Sequence, residues 1–250
     1  MKIATLNLRH HMDRWEERFP LVVQTLLDAD ADLVGLQEVS IKLGPKNQAQ
    51  MIADKIQKVS GTLYNVYFTR TREVTKDQEG IAILSQYPLT STESIALPGP
   101  WRVAQRITVE IEGRTLGFTN THLHHEPWRD ESIRLPQVQS LMDWVNTQPF
   151  PCVISGDFNA EPDSATILKV KETHRSAYES IHGTEPDFTY PTPLVQPVPA
   201  HTNTIDYLFY APDALSVTAC EKIGTKSAPH DATLYPSDHF GLLAELNWAN

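Results

Sequence analysis

The sequence predicts an α/β (α+β) protein built as a four-layer α/β/β/α sandwich, in which helices flank two packed mixed β-sheets. About ten strand-like runs are spread evenly along the chain, with helical periodicity between some of them. This number of strands exceeds what one open twisted sheet comfortably holds, so two packed sheets are expected. Helices then cover the outer faces, because the apolar face of each layer has to be buried.

The strands are predicted from short apolar runs with strand-like alternation. In chain order they are Ile3–Leu8, Asp32–Gln37, Tyr64–Phe68, Ile81–Ser85, Arg106–Ile111, Thr115–His122, Cys152–Ser155, Asp206–Tyr210, Ser216–Lys222 and Gly241–Leu246. No repeat or low-complexity tract interrupts the series.

Helices are predicted where apolar residues recur on one helical face. The residues that carry this pattern are Leu21–Leu27; Ile52, Ile56 and Val59; and Val138, Leu141, Met142 and Val145. Asp163 has the side chain of an N-cap residue, which predicts a further short helix directly after it.

No composition shift or clear linker divides the chain, so residues 1–250 are expected to form a single domain. The proline-rich stretch Pro186–Pro199 is the best loop candidate. Because a predicted strand follows it directly, we interpret it as a long surface loop within that domain.

The composition excludes several classes of protein. Apolar residues make up 40% and charged residues 21%, as in an ordinary globular protein, and the net charge of -10 argues against a broad basic surface for duplex nucleic acid. Cys152 and Cys220 are too few for a disulfide framework and lie in apolar runs, so buried thiols are expected. No apolar stretch approaches the roughly 20 residues of a membrane span, and the first residues lack the features of a signal peptide. A monomer in the cytoplasm is therefore the expectation.

Polar side chains lie at the ends of several predicted strands. Those at or just past a C-terminal end are Asn7, Glu38, His122 and Asp157, and those just before a strand are Asp206, Asp238 and His239. Each of these residues alone can be explained as a turn residue, a helix cap or a core histidine. The presence of all of them at strand ends is improbable by chance. If the last strands run antiparallel to the others, all of these groups emerge at one edge of the sandwich, where a rigid scaffold holds catalytic groups.

This set suits the hydrolysis of a phosphate ester. Mg²⁺ prefers one or two carboxylates and keeps positions for water and phosphate oxygens, which makes Glu38 the best single ligand, with Asn7 and Asp238 as further candidates. Imidazolium groups at His122 and His239 suit phosphate oxygens.

The segment Gly156-Asp157-Phe158-Asn159 supplies the remaining chemistry. Asp157 is placed to take the proton of an attacking water, and Asn159 to donate to a non-bridging phosphate oxygen.

In these residues the chain resembles the endonuclease/exonuclease/phosphatase superfamily of DNase I-like phosphohydrolases. The matching blocks run from residue 4 to residue 239, and the Gly-Asp-Phe-Asn and Ser-Asp-His blocks are specific in combination. The blocks are Ala4–Asn7, Leu36–Val39, Gly80–Ser85, Asn120–Leu123, Gly156–Ala160, Ile205–Tyr207 and Ser237–His239.

The resemblance implies a DNase I-like fold and the hydrolysis of a phosphodiester or phosphomonoester with Mg²⁺ or Mn²⁺ as cofactor. It implies that Glu38 coordinates the ion, with Asn7 and Asp238 contributing.

The same resemblance implies the roles of the other site residues. Asp157 would activate or position the water, Asn159 and His122 would hold the scissile phosphate, and His239 would bind or protonate a phosphate oxygen while Asp206 fixes it. Asp157 is favoured over His239 as the base. One departure is Thr204, where many relatives place an arginine, and it puts details of the arrangement around Asp206 in doubt.

Two alternatives belong to other functional classes. The segment His122–Glu126 invites a binuclear zinc interpretation, but Glu126 and Pro127 stand where that pattern needs aspartate and histidine. A non-catalytic binding relative is expected to have lost one or more of the site residues, and all of them are present.

The substrate is less closely determined than the reaction. Trp15 and Trp101 are interpreted first as packing residues, while Trp101, Arg106 and His124 are the candidates for substrate contact, with His125, Trp128 and Arg129 near them. Because the chain is acidic, a small or lipid-like phosphodiester is favoured, with DNA or RNA as the alternative.

Overall fold

The computed structural model describes residues 1–42, 44–71 and 79–249. In this part of the chain the strands are β1 (Lys2–Asn7), β2 (Leu33–Ser40), β3 (Asn65–Arg70), β4 (Glu79–Ser85), β5 (Ser91–Ala96), β6 (Val103–Ile111), β7 (Arg114–His122), β8 (Cys152–Asp157), β9 (Arg175–Ser176), β10 (Asp206–Tyr210), β11 (Leu215–Ile223) and β12 (Gly241–Trp248). The helices are α1 (Trp15–Ala29), α2 (Gln48–Ser60), α3 (Arg134–Asn146), α4 (Ala165–Lys171) and α5 (Ala177–His182).

The strands form two six-stranded sheets. The first has the order β11-β12-β1-β2-β4-β3, and the second has the order β5-β6-β7-β8-β10-β9. Both sheets are mixed, since β1 and β2 run parallel within the first sheet and β7 and β8 within the second. The second sheet is one continuous stretch of chain, whereas the first combines the strands before it with those after it.

Three apolar layers hold the sandwich together. Residues of α1 and α2 such as Val22 and Ile52 pack on the outer face of the first sheet. A central layer that includes Ile3 and Phe118 fills the space between the sheets. The third layer buries the predicted stripe Val138, Leu141, Met142 and Val145 of α3 against the second sheet. The four-layer α/β/β/α architecture expected from the sequence is confirmed.

A buried polar bridge also joins the two sheets close to the strand ends. Asn120 on β7 donates from Nδ2 to the carbonyl oxygens of Leu36 and Ala82, both at 3.0 Å, and accepts from Gln37 Nε2 at 2.7 Å. A Cβ atom at Gly35 would lie 2.3 Å from Ser155 Oγ, so glycine permits the close approach of the sheets here. The bridge fixes how the strand ends of the two sheets face each other.

Some elements differ from expectation. The N-cap of α4 is Ser164, whose side chain accepts from the Ile167 N–H, and not Asp163. Strand β5 was not predicted because residues 91–94 are exposed, so no apolar alternation marks it. The two-residue β9 and the short α5 are below the length at which periodicity is visible.

The stretch Pro186–Pro199 contains no helix or strand apart from a bridge between Tyr190 and Asn203. It is more than a surface loop, because Thr192 in it is fully buried. The Thr192 backbone N–H donates to the Asp238 carbonyl at 2.7 Å, and the Thr192 hydroxyl donates to the Ser237 carbonyl at 2.6 Å. This loop therefore supports the turn that carries Asp238.

Both cysteines are free and buried, as expected. Within the described ranges, no helix combines the length and the apolar character required to cross a membrane.

Candidate active site

Strand ends from both sheets meet at one edge of the sandwich and form a cleft of about 830 Å³. Strands β1 and β2 are parallel, as are β7 and β8, while β12 and β10 run antiparallel to β1 and β8. The geometry expected from the sequence is thus confirmed. The cleft is lined by the predicted residues Glu38, His122, Asp157, Asn159, Asp238 and His239, together with Trp101 and His124.

Glu38 is turned into the cleft by an irregularity in β2. The pairing of β2 with β4 shifts register between Leu36 and Val39, and Glu38 has a left-handed backbone with φ of 51°. A bulge of this kind re-aims a side chain. Burial opposes the charged form, but the hydrogen bond and charge of His10 hold the pKa of Glu38 well below its usual value. Glu38 is therefore an ionised carboxylate at neutral pH.

Asn7 holds two carboxylates together. Its Nδ2 donates to Glu38 Oε1 at 3.3 Å and to Asp157 Oδ2 at 3.0 Å, while its Oδ1 accepts from the Arg9 backbone N–H at 2.9 Å. A metal ion would need the amide oxygen. In this orientation Asn7 lies between Glu38 and Asp157 and links them, and its expected role as a metal ligand stays a prediction.

Asp157 lies at the centre of the site and is almost fully buried. Gly156 before it has φ of 156°, and a Cβ atom there would lie 2.2 Å from the Thr121 carbonyl oxygen, so glycine lets β8 approach β7 closely. Burial and the charge of Asp206 raise the pKa of Asp157 to about 7. A carboxylate with this pKa is suited to accept a proton at neutral pH.

His239 is held as an imidazolium, as expected. Its Nδ1 lies 2.9 Å from Asp206 Oδ2 and 4.0 Å from Asp157 Oδ2, and its Nε2 lies 3.9 Å from Asp238 Oδ1. Burial disfavours the charged ring, but the charges of Asp206 and Asp238 outweigh it and raise the pKa of His239 to about 10. The ring remains charged and able to donate throughout the neutral range.

His122 is neutral, which corrects the expectation of an imidazolium at this position. Arg102 Nη1 lies 3.0 Å from His122 Nδ1. A guanidinium has no acceptor atom, so Nδ1 accepts and the proton of the ring is on Nε2. Burial and the charge of Arg102 hold the pKa of His122 well below its usual value. His122 Nε2 lies 3.6 Å from Asp157 Oδ2 and is a neutral donor.

Asn159 and Asp206 are both in place. Asn159 has φ of 49°, its Nδ2 donates to the Leu123 carbonyl at 3.1 Å, and its backbone N–H donates to Asp157 Oδ1 at 2.9 Å. Thr204 donates its hydroxyl to the Pro186 carbonyl at 2.6 Å, so the residue that departs from the family pattern leaves the contact between Asp206 and His239 intact.

Three site residues were not assigned to the site from the sequence. Arg9 and His10 follow β1 in left-handed conformations, with φ of 57° and 47°, which turn both side chains back onto the cleft. Arg9 Nη1 lies 3.2 Å from Asp238 Oδ2. Arg102 is buried beside His122. The sequence signal that could have found them is the position of these basic residues directly after β1 and directly before β6.

The rim of the cleft is aromatic. Trp101 and Trp128 are 46% and 40% exposed, and both line the cleft with His124 and His125. Trp101 is therefore not a packing residue, whereas Trp15 is buried against Phe19, with ring centroids 5.4 Å apart.

The structure places Arg106 outside the cleft, which corrects its expected contact with substrate. Its side chain is buried on the outer face of β6, with the guanidinium 4.1 Å from the ring centroid of Trp144 on α3 and paired with Glu93. Arg102, four residues earlier, lines the cleft instead.

The donor atoms fit a hard divalent cation. Among the described residues, His10, Glu38 and Glu79 present ligand atoms within 4.8 Å of one another, as do Asp157, Asp206 and His239. In the second group His239 keeps its proton at neutral pH, so its ring offers no lone pair to a cation. Carboxylates such as Glu38 and Asp238 supply the oxygens that Mg²⁺ and Mn²⁺ prefer. His124 and His125 belong to neither group, which gives no support to the zinc alternative.

Comparison with known proteins identifies the family. A model of the Endonuclease/Exonuclease/phosphatase family matches residues 4–239. Nocturnin from Rattus norvegicus is 26% identical over 263 residues, which cover 94% of this chain and 59% of that protein. The CCR4-Not complex 3'-5'-exoribonuclease subunit Ccr4 from Kluyveromyces lactis is 23% identical, over 92% of this chain and 37% of that protein. The chain therefore spans about three fifths or less of the length of these relatives.

Solved structures share the fold. The human Nocturnin catalytic domain with bound sulfate anion superposes with a TM-score of 0.77 at 23% identity, over 100% of this chain and 93% of that one. Truncated Caenorhabditis elegans TDP2 gives a TM-score of 0.76 at 19% identity, over 99% of this chain and 97% of that one. The DNase I-like fold expected from the sequence is confirmed.

Proposed function

The chain belongs to the endonuclease/exonuclease/phosphatase family, and on that basis we propose that it hydrolyses a phosphodiester bond by attack of water in the cleft around Asp157. It is a metal-dependent phosphoric ester hydrolase of the phosphodiesterase and nuclease class. One observation carries the proposal: Glu38, Asp157 and two histidines line the same cleft. Glu38 is ionised, the pKa of Asp157 is close to neutral pH, and the two histidines differ in charge.

Glu38 and Asp238, which both line the cleft, would hold the cation, Mg²⁺ or Mn²⁺. When bound, such an ion neutralises charge on phosphate oxygens and orients the ester.

Asp157 accepts the proton of the attacking water in this proposal. Its pKa of about 7 keeps a large fraction ionised at neutral pH while leaving it basic enough to take a proton. His239 is a poor candidate for the base, because with a pKa of about 10 it already carries its proton.

Three side chains of the cleft can donate hydrogen bonds to phosphate oxygens in this proposal. The His239 imidazolium is the charged donor and can release a proton to a leaving oxygen, while His122 offers a neutral Nε2–H. Asn159 has one amide hydrogen on the Leu123 carbonyl, which leaves the other for a phosphate oxygen. Donors fixed before the reaction stabilise developing charge without reorganisation.

We place the substrate among phosphodiesters that carry a nucleobase, such as the end of a single-stranded RNA. Exposed aromatic rings bind bases by stacking, and Trp101 and Trp128 offer such rings at the rim. The name of the relative from Kluyveromyces lactis, a 3'-5'-exoribonuclease subunit, supports this choice. A small or lipid-like phosphodiester is the second candidate, favoured by the net charge of -10.

The first experiment tests the reaction. Bis-p-nitrophenyl phosphate is expected to be cleaved with Mg²⁺ or Mn²⁺, and Asp157→Asn and His239→Ala to lose that activity, while His230→Ala, an exposed histidine outside the cleft, retains it. Unchanged activity in both cleft variants would overturn the site assignment.

The second experiment tests the substrate. Single-stranded oligoribonucleotides, a choline phosphodiester lipid and a nucleoside monophosphate are compared side by side at two salt concentrations. Preference for the oligoribonucleotide, weakened by Trp101→Ala, supports the nucleobase proposal, and preference for the lipid diester selects the second candidate.

We further propose that the chain acts as one domain and as a monomer in the cytoplasm. Two buried free thiols are typical of a reducing compartment. Light scattering at micromolar concentration measures the oligomeric state.

A further inference from the structure

His10 lies between two glutamates at the edge of the cleft. Its Nε2 is 2.7 Å from Glu38 Oε2, and its Nδ1 is 2.8 Å from Glu79 Oε2. Both ring nitrogens are thus within ion-pair distance of a carboxylate oxygen. The three side chains are half-buried, so water screens these contacts only partly.

The backbone holds the ring in this position. His10 has φ of 47°, its N–H donates to the Glu38 carbonyl at 3.1 Å, and its carbonyl accepts from Gln48 Nε2 at 2.6 Å. Glu79 begins β4 and pairs with Ser40 of β2. The loop after β1 is therefore fastened to the strand that carries Glu38 and to the strand that carries Glu79.

The two oxygens of Glu38 have different surroundings. Oε1 faces Asn7 Nδ2 and, beyond it, Asp157 at the centre of the site. Oε2 faces His10. One oxygen is directed toward the reacting centre, and the ring holds the other one away from it.

We propose that His10 is a positioning residue for Glu38: its ring fixes the carboxylate so that Oε1 is presented to the divalent cation, and Glu79 fixes the ring. This inference rests on the proposed metal site. Carboxylates that bind metals are commonly oriented by a hydrogen-bonded partner, and loss of such a partner typically lowers metal affinity by about 10- to 100-fold. Arg102 Nη1 lies 3.6 Å from Glu79 Oε1, so the same network reaches the arginine that contacts His122.

Metal affinity tests the proposal independently of turnover. Titration of the full chain with Mn²⁺ by calorimetry is expected to show one site that Glu38→Gln removes. His10→Ala is expected to weaken that site about 10- to 100-fold, and the distant His230→Ala to leave it unchanged. Unchanged or tighter Mn²⁺ binding by folded His10→Ala overturns the proposal, because tighter binding shows that the ring competes with the cation.

Two further substitutions separate positioning from a structural role. Glutamine at residue 10 can place its amide nitrogen near the Nε2 position that contacts Glu38, whereas asparagine reaches only the Nδ1 position. Asparagine tolerates the left-handed backbone of His10 better than glutamine does. We therefore expect His10→Gln to bind Mn²⁺ more tightly than His10→Asn although His10→Asn melts at the same or a higher temperature. If His10→Asn both binds Mn²⁺ more tightly and melts at a higher temperature than His10→Gln, the proposal is overturned.

A spectroscopic measurement excludes the other possible role of the ring. Electron spin-echo envelope modulation of bound Mn²⁺ detects nitrogen that is directly coordinated. If His10 only positions Glu38, the wild-type spectrum contains no signal from directly coordinated ¹⁴N that disappears in His10→Ala. Such a signal would make His10 a ligand and overturn the proposal.

The two hypotheses fail in different ways. If the wild-type chain binds no Mn²⁺, or if Glu38→Gln binds it normally, the metal site under the proposed function is wrong. If Glu38→Gln abolishes binding and His10→Ala does not affect it, the metal site stands and the role of His10 alone is wrong.

Discussion

The two histidines on either side of Asp157 have opposite charge states although both are buried in the same cleft. His239 lies against Asp206, and its pKa is raised to about 10. His122 lies against Arg102, and its pKa is held well below the usual value. Burial alone pushes both rings toward the neutral form. The difference is therefore set by the partner of Nδ1, a carboxylate in one case and a guanidinium in the other.

This contrast shows how the site supplies two kinds of donor from one residue type. A charged ring beside Asp157 can release a proton, while a neutral ring donates a hydrogen bond and does not release one at neutral pH. Between them, Asp157 is the group whose pKa lies near neutrality. The arrangement separates the acid from the base, as catalytic pairs with divergent pKa values do.

The largest expected effect comes from removing the charged ring. His239→Gln is expected to lower kcat for a phosphodiester by about 10³- to 10⁴-fold, because it removes a proton donor and a positive charge. His122→Gln keeps a neutral donor and is expected to lower kcat by about 10²-fold or less. Steady-state kinetics at pH 7.5 with saturating Mg²⁺ measures both. Equal losses in the two variants would contradict the assigned difference.

The second prediction removes the partner of the charged ring. Asp206→Asn takes away the carboxylate that raises the pKa of His239, so the ring loses its proton at lower pH. In the wild-type protein the alkaline loss of kcat is expected near pH 10, and in Asp206→Asn it is expected to move toward pH 7. The pH dependence of kcat measures this shift. Asp163→Asn, outside the cleft, is the matched control and should leave the alkaline limb in place.

The third prediction concerns the group between the two rings. Asp157 has to be ionised to accept a proton, so kcat/KM is expected to rise with pH and to level off above about pH 7. A bound divalent cation favours the ionised form and moves this limb to lower pH. The acid limb is therefore expected at or below pH 7. An activity that falls as pH rises from 5 to 7 would show that Asp157 does not act as the base.

The fourth prediction concerns the partner of the neutral ring. Arg102→Met removes the donor to His122 Nδ1, so the ring is free to exchange its proton between the two nitrogens. The ¹⁵N chemical shifts of His122 are expected to change from a pure Nε2–H tautomer to a mixture. Arg102→Lys, which retains a donor and a positive charge, is expected to preserve most of the wild-type pattern. Identical spectra for the wild-type protein and Arg102→Met would show that Arg102 does not fix the tautomer of His122.

The smallest effect is expected at a histidine outside the site. His174 is buried, and burial lowers its pKa to about 4. The unfolded chain therefore binds the proton more readily between about pH 6.5 and pH 4, and folding stability falls as pH decreases through that window. Complete loss amounts to about 3 kcal/mol at roughly 1.4 kcal/mol per unit of pKa. Urea denaturation at pH 7 and pH 4.5 should show a smaller pH effect in His174→Gln.

The same contrast shows what the sequence can predict. Strong apolar alternation revealed most of the strands, and polar residues at strand ends revealed Glu38, Asp157 and His239. Charge states were not predictable, because the partner of His122 lies 20 residues away and that of His239 lies 33 residues away. Arg102 meets His122 when β6 pairs with β7, and Asp206 meets His239 only when the two sheets pack.

Side-chain direction limited the prediction in a second way. Arg102 lies in the segment before β6 and reaches the cleft from the end of the strand, whereas Arg106 lies within β6 with its side chain on the outer face, against Trp144. The predicted strand began at Arg106, whereas β6 begins at Val103, so Arg106 lies inside the strand and not at its end. Arg9 and His10 were missed as site residues because their left-handed backbone follows from tertiary contacts.

The strand order has a consequence for biosynthesis. Strand β12 lies between β11 and β1 in the first sheet, and Asp238 and His239 immediately precede it. A nascent chain that has not yet extended past residue 239 contains Asp157 and every strand of the second sheet, but it lacks β12, which pairs with β1 and directly follows the turn that carries Asp238 and His239. The cleft around Asp157 is therefore incomplete in any chain that has not been synthesised past residue 239.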